Sequence, residues 1–203
     1  MSDRNNLFPV FLKLEDLETL IVGGGNVGLE KLQAVLGSSP RAGVTIVAGN
    51  IRPEIKDLAA QHGNIRLLER HFTMRDLHNK DLVILATDDP ALHHRIRVVA
   101  RKKRMLLNVA DTPSLCDFYL GSVVTKGSIR VAISTNGKSP TIAKRLREYF
   151  EETFPEDTEQ LLSNMQKIRD RIKGDFQQKV KVLNDITASW LGNDPSQNKK
   201  GPA

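Results

Sequence analysis

The stretch TLIVGGGNVGLEKLQAVL, residues 19–36, constrains the chain more than any other segment. An apolar run ends in three consecutive glycines, and apolar residues at helical spacing follow at once. A buried strand that passes through a glycine turn into a helix is the first unit of a parallel α/β sheet. Gly23, Gly25 and Gly28 fit the pattern G-x-G-x-x-G in that setting. The first glycine permits the turn, the second lets a pyrophosphate approach the backbone, and the third lets helix and strand pack closely. The N–H groups at the helix N-terminus then face the anion. A plain tight turn would not need all three glycines.

The same alternation continues. VTIVAG, residues 44–49, reads as a strand, and RPEIKDLAAQHG as a helix with Pro53 in its first turn and Gly63 at its end. NIRLLERH is a weaker strand, and TMRDL a short turn with Thr73 and Asp76 spaced as a capping box. DLVILATD, residues 81–88, is the most apolar run and suits the centre of a parallel sheet. DPALHHRIRVVARKKR predicts a helix with Asp89 as N-cap and Pro90 behind it, and MLLNVAD closes the series. The expected fold is α/β, with a doubly wound parallel sheet over residues 1–113.

After DTPSLCD the rhythm changes. FYLGSVVTKGSIRVAIST predicts two strands around TKGS, too short to fold alone, and NGKSPTIAKRLREYFEETF a helix that starts at Ser139–Pro140 and stops at Pro155. Open strand edges favour a partner subunit, so residues 114–147 are expected to form a homodimer interface. Residues 148–192 are expected to be helical: Leu161, Met165, Ile168 and Ile172 form an apolar stripe. Gly174 interrupts it, Asp175 and Gln178 restart it, and Phe176, Val180, Leu183, Ile186 and Trp190 continue it. Residues 193–203 read as a disordered polar tail.

Composition narrows the function classes. Cys116 is the single cysteine among 203 residues, which excludes an internal disulfide, and no Cys/His spacing suggests a zinc site. No leader pattern and no apolar run of bilayer length is present, so a cytoplasmic location is expected and no membrane contact. The net charge of +6 suits nucleic acid or a small polyanion equally. The basic run RKKR at 101–104 falls at a helix C-terminus, where cations offset the dipole, and no aromatics interleave with it. No nucleic-acid partner is expected. His93 and His94 lie in the first turns of a helix and read as surface or packing residues.

The second strand should end in an acidic residue to hold a ribose 2′-OH, yet VTIVAGN offers Ala48, Gly49 and Asn50. Asn50 or backbone groups could take that role. Arg52 is the nearby group able to meet a 2′-phosphate. NAD is expected over NADP.

FPVFLKLEDLETLIVGGGNVGLEK, ILATDDPALHHRI, LLNVADTPSLCDF and VAISTNGKSPTIAKRLRE together resemble the precorrin-2 dehydrogenase family, the N-terminal module of siroheme synthase, in its stand-alone form. The resemblance runs from residue 8 to about 152. It implies a Rossmann-like doubly wound parallel sheet, a dimerisation region and a C-terminal helical domain. It implies NAD-dependent oxidation of precorrin-2 to sirohydrochlorin, with ferrous iron inserted by some members. The family's cofactor contacts fall on Asn26, Val27, Gly49 and Asn50, with Thr87 and Asp88 of ATDD along the nicotinamide side. Its catalytic aspartate corresponds to Asp111, which otherwise reads as a turn or capping residue before Thr112–Pro113. A serine phosphorylated in some siroheme synthases corresponds to Thr135. Asn108 beside the aspartate, and Lys138, Ser139, Lys144 and Arg145 at a helix start, are candidates for binding the carboxylates of a tetrapyrrole. No metal ligands are assigned. Two other readings stand beside this one: a ferrochelatase with a vestigial NAD site, and a non-catalytic dinucleotide-sensing module. Sensors usually keep the acidic residue after the second strand.

Overall fold

The computed structural model describes residues 5–172 and 175–187; Gly174, Trp190 and the expected polar tail lie outside the described residues. Five strands, β1 (Glu18–Val22), β2 (Gly43–Ala48), β3 (Ile65–Glu69), β4 (Leu82–Leu85) and β5 (Leu106–Val109), form one sheet in the order β3-β2-β1-β4-β5. Every pairing is parallel, with Ile21 opposite both Ile46 and Ile84. Helices α1 (Asn26–Ser38), α2 (Pro53–Gln61) and α3 (Pro90–Lys103) make the crossovers.

Side chains of β1 alternate between the two faces with period two. Leu20 and Val22 join Val83, Leu85 and Leu107 under Ile96 and Ala100 of α3. Ile21 joins Ile46 and Ile84 under Leu32 and Val35 of α1 and Ile55 of α2. Both faces of β4 are therefore covered, and all four of its residues are buried, as its apolar run predicts.

The expected local signals form. Thr73 and Asp76 make the capping box of a turn at Met74–Leu77. Asp89 accepts the Leu92 N–H at 2.9 Å at the start of α3. Arg101, Lys102 and Lys103 end that helix, and Arg104 caps it in the left-handed region.

Beyond the sheet come a two-stranded hairpin, β6 (Ser122–Lys126) and β7 (Ile129–Ile133), and helices α4 (Pro140–Thr153), α5 (Thr158–Arg171) and α6 (Phe176–Thr187). By contact, the chain divides into two units. The first runs to Ser122 and includes Ser134–Pro140; the second holds Val123–Ile133 and the described residues from Thr141 onward. The boundaries at 113 and 147 expected from the sequence fall inside the first and the second unit, and the hairpin groups with the helices that follow it. Its turn is held by α5: Glu159 accepts the Ser128 N–H at 2.6 Å and the Ser128 hydroxyl at 2.9 Å. Glu156 pairs with Lys126 at 2.6 Å. Asp175 accepts the Gln178 N–H at 2.9 Å and caps α6.

Candidate dinucleotide and substrate site

The glycine loop joins β1 to α1 at the carboxyl edge of the sheet. Chain order reverses around β1, which lies between β2 and β4, and open α/β sheets bind ligands at such a point. Gly23 has φ +122°, and a Cβ there would strike the Ala86 carbonyl after β4. A Cβ on Gly28 would strike the Gly23 carbonyl, so this glycine lets α1 press on the turn. Gly25 is different: nothing lies within 4 Å of the position its Cβ would take.

Gly25 is also the N-cap of α1 and supplies no side-chain hydrogen bond. The Leu29 N–H is the one that closes on the Gly25 carbonyl, at 3.0 Å. The amides of Asn26, Val27 and Gly28 ahead of it belong to the helix's unsatisfied first turn. An uncapped helix start under open space fits the pyrophosphate of a dinucleotide.

Gly24, which the motif leaves unspecified, is as constrained as its neighbours. A Cβ there would strike the Asn50 carbonyl and lie 2.9 Å from the Ala48 Cβ. The third consecutive glycine therefore lets the loop after β2 lie against the turn after β1. The Arg52 N–H donates to the Gly24 carbonyl at 3.0 Å and fixes that contact.

Gly49 and Asn50 are exposed in this second loop. The His71 ring lies 3.4 Å from the position of a Gly49 Cβ. No carboxylate ends β2, but two reach the loop from other elements. Glu69, ending β3, accepts the Ile51 N–H at 3.2 Å and pairs with Lys56 at 2.9 Å; that lysine, then the backbone bond, holds its carboxyl below the usual range. Glu54, in the first turn of α2, takes Arg52 at 2.5 and 3.1 Å. The remaining arm of Arg52 donates to the Asn26 side chain at the start of α1.

On the other side of β1, Thr87 and Asp88 follow β4. The Thr87 hydroxyl is 2.9 Å from His93 Nε2, and His93 is only 4% exposed. Burial pushes its imidazole pKa down, which favours the neutral ring. His93 is thus the packing residue expected, with the added task of holding Thr87, while His94 is exposed.

Asp111 follows β5, whose end is tied to β4 by a 3.0 Å bond from the Ala110 N–H to the Leu85 carbonyl. Its φ is +56° and it is exposed. The cap position of the next turn, Pro113–Leu115, is Thr112, and that turn has no side-chain capping bond. Residues 116–118 then fold back on β5. Asp117 accepts the Leu107 N–H at 3.0 Å and the Arg97 guanidinium at 2.5 Å. The Cys116 sulfur accepts the Val109 N–H at 3.2 Å; burial pushes this thiol's pKa up. Asn108 is 6% exposed and donates its amide to the Phe118 carbonyl at 2.9 Å, which also ties this loop to β5.

The glycine loop, Thr87–Asp88 and Asp111 therefore end three adjacent strands at one edge. Lys138 and Ser139 lie in a turn of the same unit, where Asn136 and Gly137 have φ of 54° and 76°. The Thr135 hydroxyl accepts the Ser139 N–H and donates to the Ser139 carbonyl, both at 3.2 Å. Lys144 and Arg145 belong to the second unit, on α4, where both pair with Glu148 at 3.9 and 2.8 Å.

Strand order, glycine geometry and the uncapped helix start define a dinucleotide-binding α/β protein of the Rossmann type. The chain belongs to the putative NAD(P)-binding family, whose model matches residues 10–122, and residues 126–153 match the central region of sirohaem biosynthesis proteins. It is 37% identical to a siroheme synthase of Psychrobacter arcticus over 185 residues, 91% of this chain and 32% of that protein. A siroheme synthase of Methylococcus capsulatus is 38% identical over 165 residues, 81% of this chain and 34% of that protein. The chain spans about a third of the length of these curated relatives. Among solved structures, SirC, a precorrin-2 dehydrogenase, superposes with a TM-score of 0.70 at 26% identity and 89% coverage of each chain.

Proposed function

We propose that the protein oxidises precorrin-2 to sirohydrochlorin with NAD as hydride acceptor. The observation that carries this reading is the row of groups along the carboxyl edge: open glycine loop on β1, Thr87–Asp88 on β4 and an exposed carboxylate, Asp111, after β5. The likeness to a precorrin-2 dehydrogenase and to siroheme synthases supports the choice of substrate.

The first-turn amides of Asn26, Val27 and Gly28 hold the pyrophosphate, with Gly23 and Gly25 shaping the loop. Gly49 and Asn50 meet the ribose beyond it, and Thr87 and Asp88 border the nicotinamide side. When bound, the nicotinamide accepts the hydride. The oxidation removes one hydride and one proton from precorrin-2, and the Asp111 carboxylate takes the proton as general base. Lys138, Ser139, Lys144 and Arg145 are the groups proposed to meet the substrate's carboxylates.

The working form is a homodimer through residues 114–147, in the cytoplasm. Ile142, Leu146 and Tyr149 of α4, spaced as one face and 57%, 40% and 61% exposed, support association with a second copy. Ferrous iron is a substrate of any further chelatase step, for which no residue is proposed.

Anaerobic incubation with precorrin-2 and NAD is the test. Sirohydrochlorin and NADH should rise together in equal amounts. In a second arm supplied with sirohydrochlorin and ferrous iron, siroheme formation well above the spontaneous rate would favour a chelatase; dinucleotide binding without turnover in either arm would favour a sensor.

A further inference from the structure

The ribose end of the site lacks the acidic residue that usually ends β2 and carries an arginine instead, an arrangement that by itself would favour a 2′-phosphate. The guanidinium is not free, however. Glu54 takes Nε at 3.1 Å and Nη2 at 2.5 Å, a two-pronged pairing, and Nη1 donates to Asn26. Pro53 follows Arg52 and restricts its backbone, and the Arg52 N–H is bonded to the Gly24 carbonyl. The side chain is thus held between Glu54 at the start of α2 and Asn26 at the start of α1, the helix that the glycine loop leads into.

We infer that Glu54 is the specificity-determining residue for the dinucleotide: by occupying Arg52 it excludes a 2′-phosphate and selects NAD. This rests on the dinucleotide reading of the site proposed above. The physical reason is competition for one fork of donors. A 2′-phosphate would have to displace a carboxylate already bonded at two positions, and would then carry its charge beside that carboxylate. The usual acid reads the ribose hydroxyl directly; here the carboxylate acts through arginine. The first turn of α2 is a favourable place for it, since the helix N-terminus stabilises a negative charge.

The test compares dissociation constants for NAD and NADP by calorimetry, with no turnover involved. In Glu54→Gln, the ratio of the NADP constant to the NAD constant should fall by about tenfold, the size of one charge-assisted contact released to the ligand. Adding Arg52→Gln to that variant should remove the gain. Raising salt should shrink it, because the pair is solvent-exposed. An unchanged ratio in folded Glu54→Gln, or a gain that survives loss of Arg52, would overturn the inference while leaving dinucleotide binding intact. A wild-type chain that binds neither dinucleotide would overturn the site reading and this inference together.

Discussion

Asp111 occupies the left-handed region, with φ +56°, a conformation that aspartate and asparagine tolerate better than most residues. Asp111→Asn therefore keeps the turn and removes only the proton acceptor. Turnover of precorrin-2 should fall by about two to four orders of magnitude, the usual worth of a positioned general base. The thermal midpoint should hold. Near-normal turnover in the folded variant would remove Asp111 from proton transfer. Two glycines separate binding from folding in the same way. Gly28→Ala places a methyl against the Gly23 carbonyl and should destabilise the fold by about 1–3 kcal/mol, the range for overpacking. Gly25→Ala meets open space, so stability should change by less than about 0.5 kcal/mol. Its methyl would instead enter the space assigned to pyrophosphate, and dinucleotide affinity should drop at least about tenfold. Urea denaturation and calorimetry read the two effects, and equal loss of stability in both variants would contradict the division of roles.

At the scale of elements, β5 ends the sheet and would present an open edge. The segment from Thr112 to Phe118 covers it. Asp117 bonds the Leu107 amide, Cys116 the Val109 amide, and the Asp117 N–H reaches the Leu107 carbonyl at 2.7 Å. Asp111 lies at the start of this folded-back segment, so its position depends on the clamp. Asp117→Ala would leave Arg97, whose side chain is 12% exposed, without its carboxylate. A cost of about 2–3 kcal/mol is expected in urea denaturation. Turnover should suffer more than dinucleotide affinity, since the glycine loop stands two strands away. Equal losses of both would mean that Asp117 supports the whole sheet rather than this segment.

For the whole molecule, Ile142, Leu146 and Tyr149 make one exposed apolar face on α4. A dimer through this region predicts that Leu146→Glu, a charge placed in the middle of Ile142, Leu146 and Tyr149, shifts the protein to monomer. Sedimentation at micromolar concentration reads this directly. A wild-type chain that already sediments as a monomer would end the dimer proposal. The same experiment bears on function, because Lys144 and Arg145 sit on this helix beside the proposed interface.

Much of the fold was legible because its signals are local. Strand and helix periodicity, the Thr73–Asp76 capping box, the Asp89 cap and the glycine turn each depend on residues a few positions apart, where spacing alone fixes geometry. The glycine turn into α1, where a pyrophosphate is proposed, was legible for the same reason. Sequence could not reveal what depends on segments distant along the chain. Gly24 matters because the loop after β2 presses on it. His93 holds Thr87 because the helix buries it beside β4, and the Asn108 amide donates to the Phe118 carbonyl ten residues on. The missing acid after β2 was visible as an absence, but Glu54 and Glu69 come to that loop from a helix and a neighbouring strand. Local pattern determined which elements form and where the glycine turn falls between β1 and α1. Long-range packing alone decided which side chains face one another, since those contacts exist only once the sheet has brought its strands side by side.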